Sequence, residues 1–270
     1  MTSQSRLALP ILIRWLEYIG AYILNGAGVF LDNLYMLVNA FAVIPIFKPG
    51  QSYYLRLVVV QQLYFTAAQS FVFVTALGAV MGILTMLPLL AFGVNELDLL
   101  ASIINLVLFH QLLPVIVVII IIGRSGTAIT AELGDMQTNR VIDTMLVMGI
   151  DPHRFIVLPR ILGITLSLLL LIFWANFAAL LGAGVVTLFQ ANISLGSFID
   201  ACIRQIALAD LMLTALMILI YGIAISLIHC YFGFRPKSSA DIARHLPSAF
   251  VQSFLACMLI TLVFAIVRYG

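Results

Sequence analysis

The charged residues of this chain are few, and a third of them gather in one place. Arg124, Glu132, Asp135, Arg140, Asp143, Asp151, Arg154 and Arg160 all fall between Gly123 and Gly163. Elsewhere His110-Gln111 stands inside an apolar run, His229-Cys230 closes another, and Cys202, Cys230 and Cys257 are scattered and odd in number. The cysteines show no paired metal spacing, and His229-Cys230 has no acid or imidazole near it, so the thiols read as small apolar fillers and no metal site is assigned. A P-loop ATPase needs a lysine after glycine to neutralise the β/γ phosphates. The only lysines are Lys48 and Lys237, and neither follows a glycine. Any ATP-driven work would therefore draw ATP and Mg from another polypeptide, and no cofactor and no enzymatic activity are assigned to this chain.

What positions these residues follows from composition. Of the 270 residues, 63% are hydrophobic and 9% charged, against about 25% charged in ordinary soluble domains, so water is not the main solvent for this chain. Five apolar stretches, about 57–87, 99–122, 161–189, 211–233 and 249–267, each meet the ~20 residues that a helical span requires. Strand alternation is absent. The expectation is an all-α integral membrane protein of about five transmembrane helices, with an N-terminal interfacial (elbow) helix and a short cytoplasmic coupling helix. Residues 1–50 form the interfacial region and 51–270 the membrane domain. Within Leu9–Phe47, Arg14, Asn25, Asp32 and Asn39 fall near one helical face, with Trp15, Tyr18 and Tyr22 as interfacial rings and Pro45 and Pro49 as the end. A sixth span is the competing reading, at the cost of placing Asp32 in hydrocarbon. The N-terminal segment is expected to be retained rather than cleaved.

The polar insert has its own pattern. Val141, Ile142, Met145, Leu146 and Met148 recur at helical spacing, and Gly149 followed by Pro152 supplies a stop. A helix near 138–148, apolar on one side and on the water side of the membrane, is what a soluble partner could grip. With the insert inside and the spans alternating, 11 of the 13 Lys and Arg lie inside, leaving Arg204 and Arg268 outside. That bias places the N-terminus in the cytoplasm and the C-terminus outside. Pro88, Gly93 and Asn95 should end the first span, where Gly78 and Gly82 allow close helix approach within the chain or at a dimer axis. Leu195, Phe198, Ile199, Cys202, Ile203 and Ile206 suggest a short amphipathic helix on the outer surface, with Asp200 and Arg204 as an ion pair.

GRSGTAITAELG, IDTMLVMGIDP and LPR, with Gln62-Leu-Tyr64 and Gly78-x-x-x-Gly82 upstream, resemble the signature of the MlaE (YrbE) permeases, membrane subunits of MCE-type lipid ABC transporters. The likeness covers roughly residues 55–268. It implies a bacterial inner-membrane permease that moves phospholipid or a similar lipid between that membrane and an extracytoplasmic MCE protein. The implied partners are a cytoplasmic ABC ATPase, the MCE-domain protein, a second permease copy in a homodimer or heterodimer, and phospholipid, with no nucleic acid. The ATPase-coupling residues would be Arg140, Asp143, Met145, Met148, Gly149, Asp151 and Pro152, the methionines seating in the ATPase and the aspartates making polar contacts or caps. Gly123, Arg124, Ser125, Gly126 and Glu132 would form a motif loop, Arg124 pairing with Glu132 or anchoring to phosphate headgroups. Gly78, Met81, Gly82, His110 and Gln111 would border a lipid path. The chain departs from the family at Arg140, where an acid is common, and at His110-Gln111, where an Arg-Glu pair is. An ion-coupled secondary carrier and a non-transporting scaffold are the rival readings; the first would need acids inside the spans, and the sequence places none there.

Overall fold

The computed structural model describes residues 49–270 except Asn95, and of residues 49–55 and Arg154 the backbone alone. The expected interfacial helix, with its stripe of Arg14, Asn25, Asp32 and Asn39, lies outside the described residues. Every described element is helical. Five helices are long and apolar enough to cross a membrane: α1, Arg56–Ala91; α2, Leu97–Thr138; α4, Phe155–Gln190; α6, Leu208–Gly233; and α7, Ser239–Tyr269. Two short helices complete the set, α3 at Val141–Val147 and α5 at Leu195–Arg204. This is a multi-pass α-helical membrane protein.

The axis of the bundle is α4, the most enclosed of the five, and α7 is the least enclosed. Lipid tails supply no hydrophobic drive for helices to associate, so contact between them depends on close backbone approach and packing. The α1–α4 seam shows how this is met. A Cβ on Gly78 would stand 2.5 Å from the Ala175 carbonyl, one on Gly82 would overlap the Ala179 carbonyl, and one on Gly182 the Ala79 carbonyl. Trp174 Nε1 donates to Thr75 Oγ1 at 2.7 Å across the same seam. The Gly78–Gly82 pair therefore belongs to packing within the chain, and with the α4 backbone seated on it no lipid path runs between them.

The spans are longer than the apolar runs that announced them. Pro88 does not end α1; the helix runs on to Ala91 and stops at Gly93, whose φ of +80° suits glycine. Likewise α7 begins at Ser239 and carries Pro247 inside it. The largest extension is in α2, which passes through Gly123–Gly126 and ends only at Thr138. Four segments wind as π turns, Tyr64–Ala68, Ile104–Leu112, Ile122–Gly126 and His153–Val157, each continuous with its neighbouring α-helix.

At the end opposite the insert, α5 does more than rest on a membrane surface. Ser194 caps it by accepting from Ser197 N at 3.2 Å, and Phe198 and Cys202 are fully buried. Asn105 Nδ2 donates to the Cys202 carbonyl at 3.0 Å, and Gln205 Nε2 donates to the Asp98 carbonyl at 2.8 Å, so α5 is tied to α2. No ion pair joins Asp200 to Arg204. Burial pushes the Cys202 thiol up to about 12, so it stays protonated and unreactive at neutral pH.

Replacing Gly82 by Val should force α1 off α4 and abolish detergent-stable folded protein, whereas Gly196→Ala, which meets open space in α5, should hold or slightly raise the Tm. Size-exclusion profile and thermal unfolding in mild detergent read both.

Candidate functional site

The insert between α2 and α4 is mostly ordered helix. Past the π turn at Ile122–Gly126, the end of α2 packs on the end of α6 and the start of α7. Gly126 is seated against the His229 ring, Gly233 against Leu133, and Gly134 against Ile242. His229 is fully buried, and its Nδ1 shares a hydrogen bond of 2.7 Å with Thr130 Oγ1. That histidine is a packing and hydrogen-bonding clasp between two helices. Ser125 and Gly126 are buried, while Gly123 is exposed beside Phe250. The motif residues therefore form one helical turn, not a loop, because the glycines admit a neighbouring ring without any break in the backbone ladder.

Arg124 does not pair with Glu132. Its Nη1 donates to Ser70 Oγ at 2.7 Å and its Nη2 to Gln69 Oε1 at 2.6 Å, both on α1. Glu132 pairs instead with Arg160 at 2.9 Å. Arg160, 7% exposed at the head of α4, also receives at its carbonyl a hydrogen bond from Ser226 Oγ at 3.4 Å. A buried guanidinium without its carboxylate is costly, so this pair fixes the spacing of α2 and α4. Above it opens a cavity of about 580 Å³, whose walls include Gln61, Gln62, Tyr64, Met136 and Phe155.

α3 stands at this polar end, and its boundaries are conformational. Arg140 adopts φ +57°, a left-handed break that separates α3 from α2, and the helix begins at Val141. At the other end Ile150 N donates to the Met145 carbonyl at 2.9 Å and Gly149 N to the Leu146 carbonyl at 3.0 Å. With Gly149 at φ +72°, these are the two bonds of a Schellman stop. Asp151 Oδ1 accepts from His153 N at 3.0 Å, capping the start of α4, and Pro152 is buried beneath it. Ile142 and Met145 face the bundle. The outward face is Leu146 at 58% exposure, Val147 at 88% and Met148 at 61%, with Asp143 exposed beside a groove of about 310 Å³ that includes Ile142, Leu146, His153 and Phe234.

Of the coupling residues read from sequence, then, Asp143 and Met148 point outward. Arg140, Gly149, Asp151 and Pro152 set the frame, and Met145 is turned inward. Leu146 and Val147, exposed on the outward edge, were not among the coupling residues read from sequence. For Val147 a signal was present, because it stands five residues from Ile142 and two from Met145 and so falls across the helix from both; Leu146, one turn beyond Ile142, lies on that residue's flank, and spacing alone does not turn it outward.

At the far end, His110 and Asp210 border two adjoining cavities. One, of about 170 Å³, is largely apolar, with Phe109, Phe173, Phe177 and Leu180 in its wall. The other, of about 320 Å³, is mixed, with Asn105, Gln205 and Arg268 beside Leu106 and Tyr269. Arg268 Nε lies 3.5 Å from Asp210 Oδ1, and its Nη2 donates to Thr214 Oγ1 at 2.8 Å. His110 Nδ1 and the side-chain oxygens of Asn105 and Asn176 are buried without hydrogen-bond partners. His110 thus lines a cavity, as its depth suggested; Met81 packs against the core, and Gln111 is only half-exposed.

Glu132→Gln should leave Arg160 unpaired and destabilise the protein by about 1–3 kcal/mol, short of a fully buried pair because the Glu132 side chain is 54% exposed. Adding Arg160→Met to that variant should restore part of the loss. Thermal melts of the single and double variants test the coupling.

Comparison with known proteins bears on these features. A probable ABC transporter permease protein of Rickettsia typhi is 24% identical over 160 residues, 59% of this chain and 62% of that protein. Another, of Synechocystis sp., is 27% identical over 156 residues, 57% of this chain and 59% of the relative. The chloroplastic protein trigalactosyldiacylglycerol 1 of Arabidopsis thaliana is 29% identical over 147 residues, 54% of this chain and 42% of its own length. The chain thus spans about three fifths of the length of the bacterial relatives it matches. The family profile described as Permease MlaE matches residues 59–267, taking in all five spans, the ordered insert and α3. This chain belongs to the MlaE permease family.

Proposed function

We propose that this chain is the membrane-spanning subunit of a lipid ABC transporter, with α3 as the helix through which a separate ATPase drives it. The observation that carries this reading is the outward face of α3. Leu146, Val147 and Met148 expose a contiguous apolar edge at the polar end of the bundle, where lipid cannot cover it. The groove beside it gives such a contact a second wall. Because Ile142 and Met145 seat α3 on the bundle and Glu132–Arg160 ties α2 to α4 behind it, force applied at Val147 reaches the spans without being lost in a loose loop.

A lipid cargo is supported by the two cavities that meet at His110 and Asp210. One is apolar and the other carries the larger share of polar groups, which suits an amphiphile better than an ion or a sugar. The Arabidopsis relative also carries a diacylglycerol lipid in its name. In this reading ATP and Mg are bound by the ATPase, an extracytoplasmic MCE protein exchanges lipid at the far end, and a second permease copy completes the unit. The membrane is the bacterial inner membrane, with the N-terminus and α3 cytoplasmic and the C-terminus periplasmic. An ion-coupled carrier would require an acid free to titrate, and Asp210 is already engaged by Arg268.

Val147→Asp should abolish co-purification of a P-loop ATPase while leaving the Tm within about 0.5 kcal/mol equivalent of the parent, since the side chain touches little. Retained ATPase in that variant would remove α3 from the contact. Orientation has its own test. The three native thiols are buried, so Val147→Cys should be the one site labelled by an impermeant maleimide, in inverted vesicles and not in intact cells. The reverse pattern would turn the protein over.

A further inference from the structure

We infer that Arg124 forms, with Gln69 and Ser70, a binding site for the phosphate of an anionic lipid headgroup in the leaflet on the α3 side. Four observations converge on it. The guanidinium is held by two neutral acceptors, the Ser70 hydroxyl and the Gln69 amide oxygen, and has no carboxylate within ion-pair distance among the described residues. The acids that follow it on α2 are engaged elsewhere, Glu132 by Arg160 and Asp135 by Asn139 Nδ2 at 3.0 Å. Its depth is that of headgroups. At 1.5 Å per residue, Ser70 lies about 30 Å along α1 from the turn at Phe92, and Arg124 about 40 Å along α2 from Leu97, against a hydrocarbon thickness of about 30 Å. Finally, Arg124 is partly buried but not enclosed, and its surroundings open outward through the exposed Gln69, Val72 and Phe73 on α1 and Gly123 on α2.

An arginine in this setting has its charge unneutralised and part of its donor fork unused. Neutral acceptors orient the guanidinium but do not compensate it, whereas a phosphodiester accepts two parallel N–H bonds from the same plane and supplies the missing charge. Zwitterionic lipids carry that phosphate beside their own cation, so the site should discriminate in favour of a headgroup with net negative charge. The exposed Val72 and Phe73 would then lie along the first carbons of the acyl chains. This inference stands apart from the transport reading, because it concerns a lipid that surrounds the protein and not one that it carries.

The test uses the full chain in nanodiscs of phosphatidylglycerol and phosphatidylcholine in equal amounts, doped with diazirine-bearing analogues of either headgroup on identical chains. After illumination, adducts are mapped by peptide mass spectrometry. On the peptides spanning residues 69–73 and 122–127, phosphatidylglycerol adducts should exceed phosphatidylcholine adducts about fivefold, the equivalent of the ~1 kcal/mol that an interfacial arginine contributes. Equal labelling of these peptides by the two probes would overturn the site. Arg124→Gln should bring the ratio to one and Arg124→Lys should keep part of it; a ratio unchanged in Arg124→Gln would also overturn it. Should Arg124→Gln fail to fold, the map on the parent protein still decides. Loss of the parent's preference on adding millimolar inorganic phosphate at constant ionic strength would assign the pocket to free phosphate and overturn the lipid as its ligand.

Discussion

The structure depends on how closely α1 can lie against α4. In a membrane neither helix gains by hiding its side chains from the surrounding hydrocarbon, so the seam holds only because Gly78, Gly82 and Gly182 let backbone meet backbone at Ala175, Ala179 and Ala79. Everything else is hung on that axis. α6 packs on α4 partly through Gly222, whose missing Cβ makes room for Thr165, and α2 reaches α4 through a row of buried branched aliphatics that includes Val117, Val118 and Ile121.

Polar interactions then do at one end what small residues do in the middle. His229 with Thr130, Glu132 with Arg160 and Arg124 with Gln69 and Ser70 each join two helices, and all three lie within ten residues of one another along α2. That end of the bundle is therefore a platform tied across its helices at three points. α3 rests on the platform by Ile142 and Met145 and turns its other side to water. A helix that must transmit a push needs both properties, a firm seat and an unspent surface.

Much of this was legible in the sequence, for physical reasons that can be named. Span number follows from the apolar runs, because about 20 consecutive apolar residues are what one helical crossing requires. The stop of α3 follows from Gly149, since a residue at φ +72° has an obvious candidate there. The start of α3 was misplaced because the left-handed position fell on Arg140 when Asn139, the residue type more given to that conformation, stood beside it. Pro88 misled for a related reason: proline removes one ladder bond, and near the end of a helix that loss is tolerated, as it is again at Pro247 within α7. The pairing of Glu132 with Arg160 had no local pattern at all. An arginine at the head of an apolar helix does announce that some partner must exist, but the fold alone says which one. The partner stripe for Gly78 and Gly82 was written in Ala175, Ala179 and Gly182, a second row of small residues at helical spacing.

The π turns carry a consequence for how this chain tolerates change in length. A π turn is an α-helix with one residue too many, and each added residue rotates everything beyond it by about 100°. At Ile122–Gly126 that extra residue sits between the lipid-facing part of α2 and the part that meets His229. The two halves of α2 are therefore phased independently, one to the bilayer and one to the platform. Deleting a single residue there would restore a regular helix while turning Gly126 away from the ring it accommodates. Loops of this protein can gain or lose residues at small cost, but this one helical turn behaves as a fixed gear tooth, and its length is under the same constraint as a buried side chain.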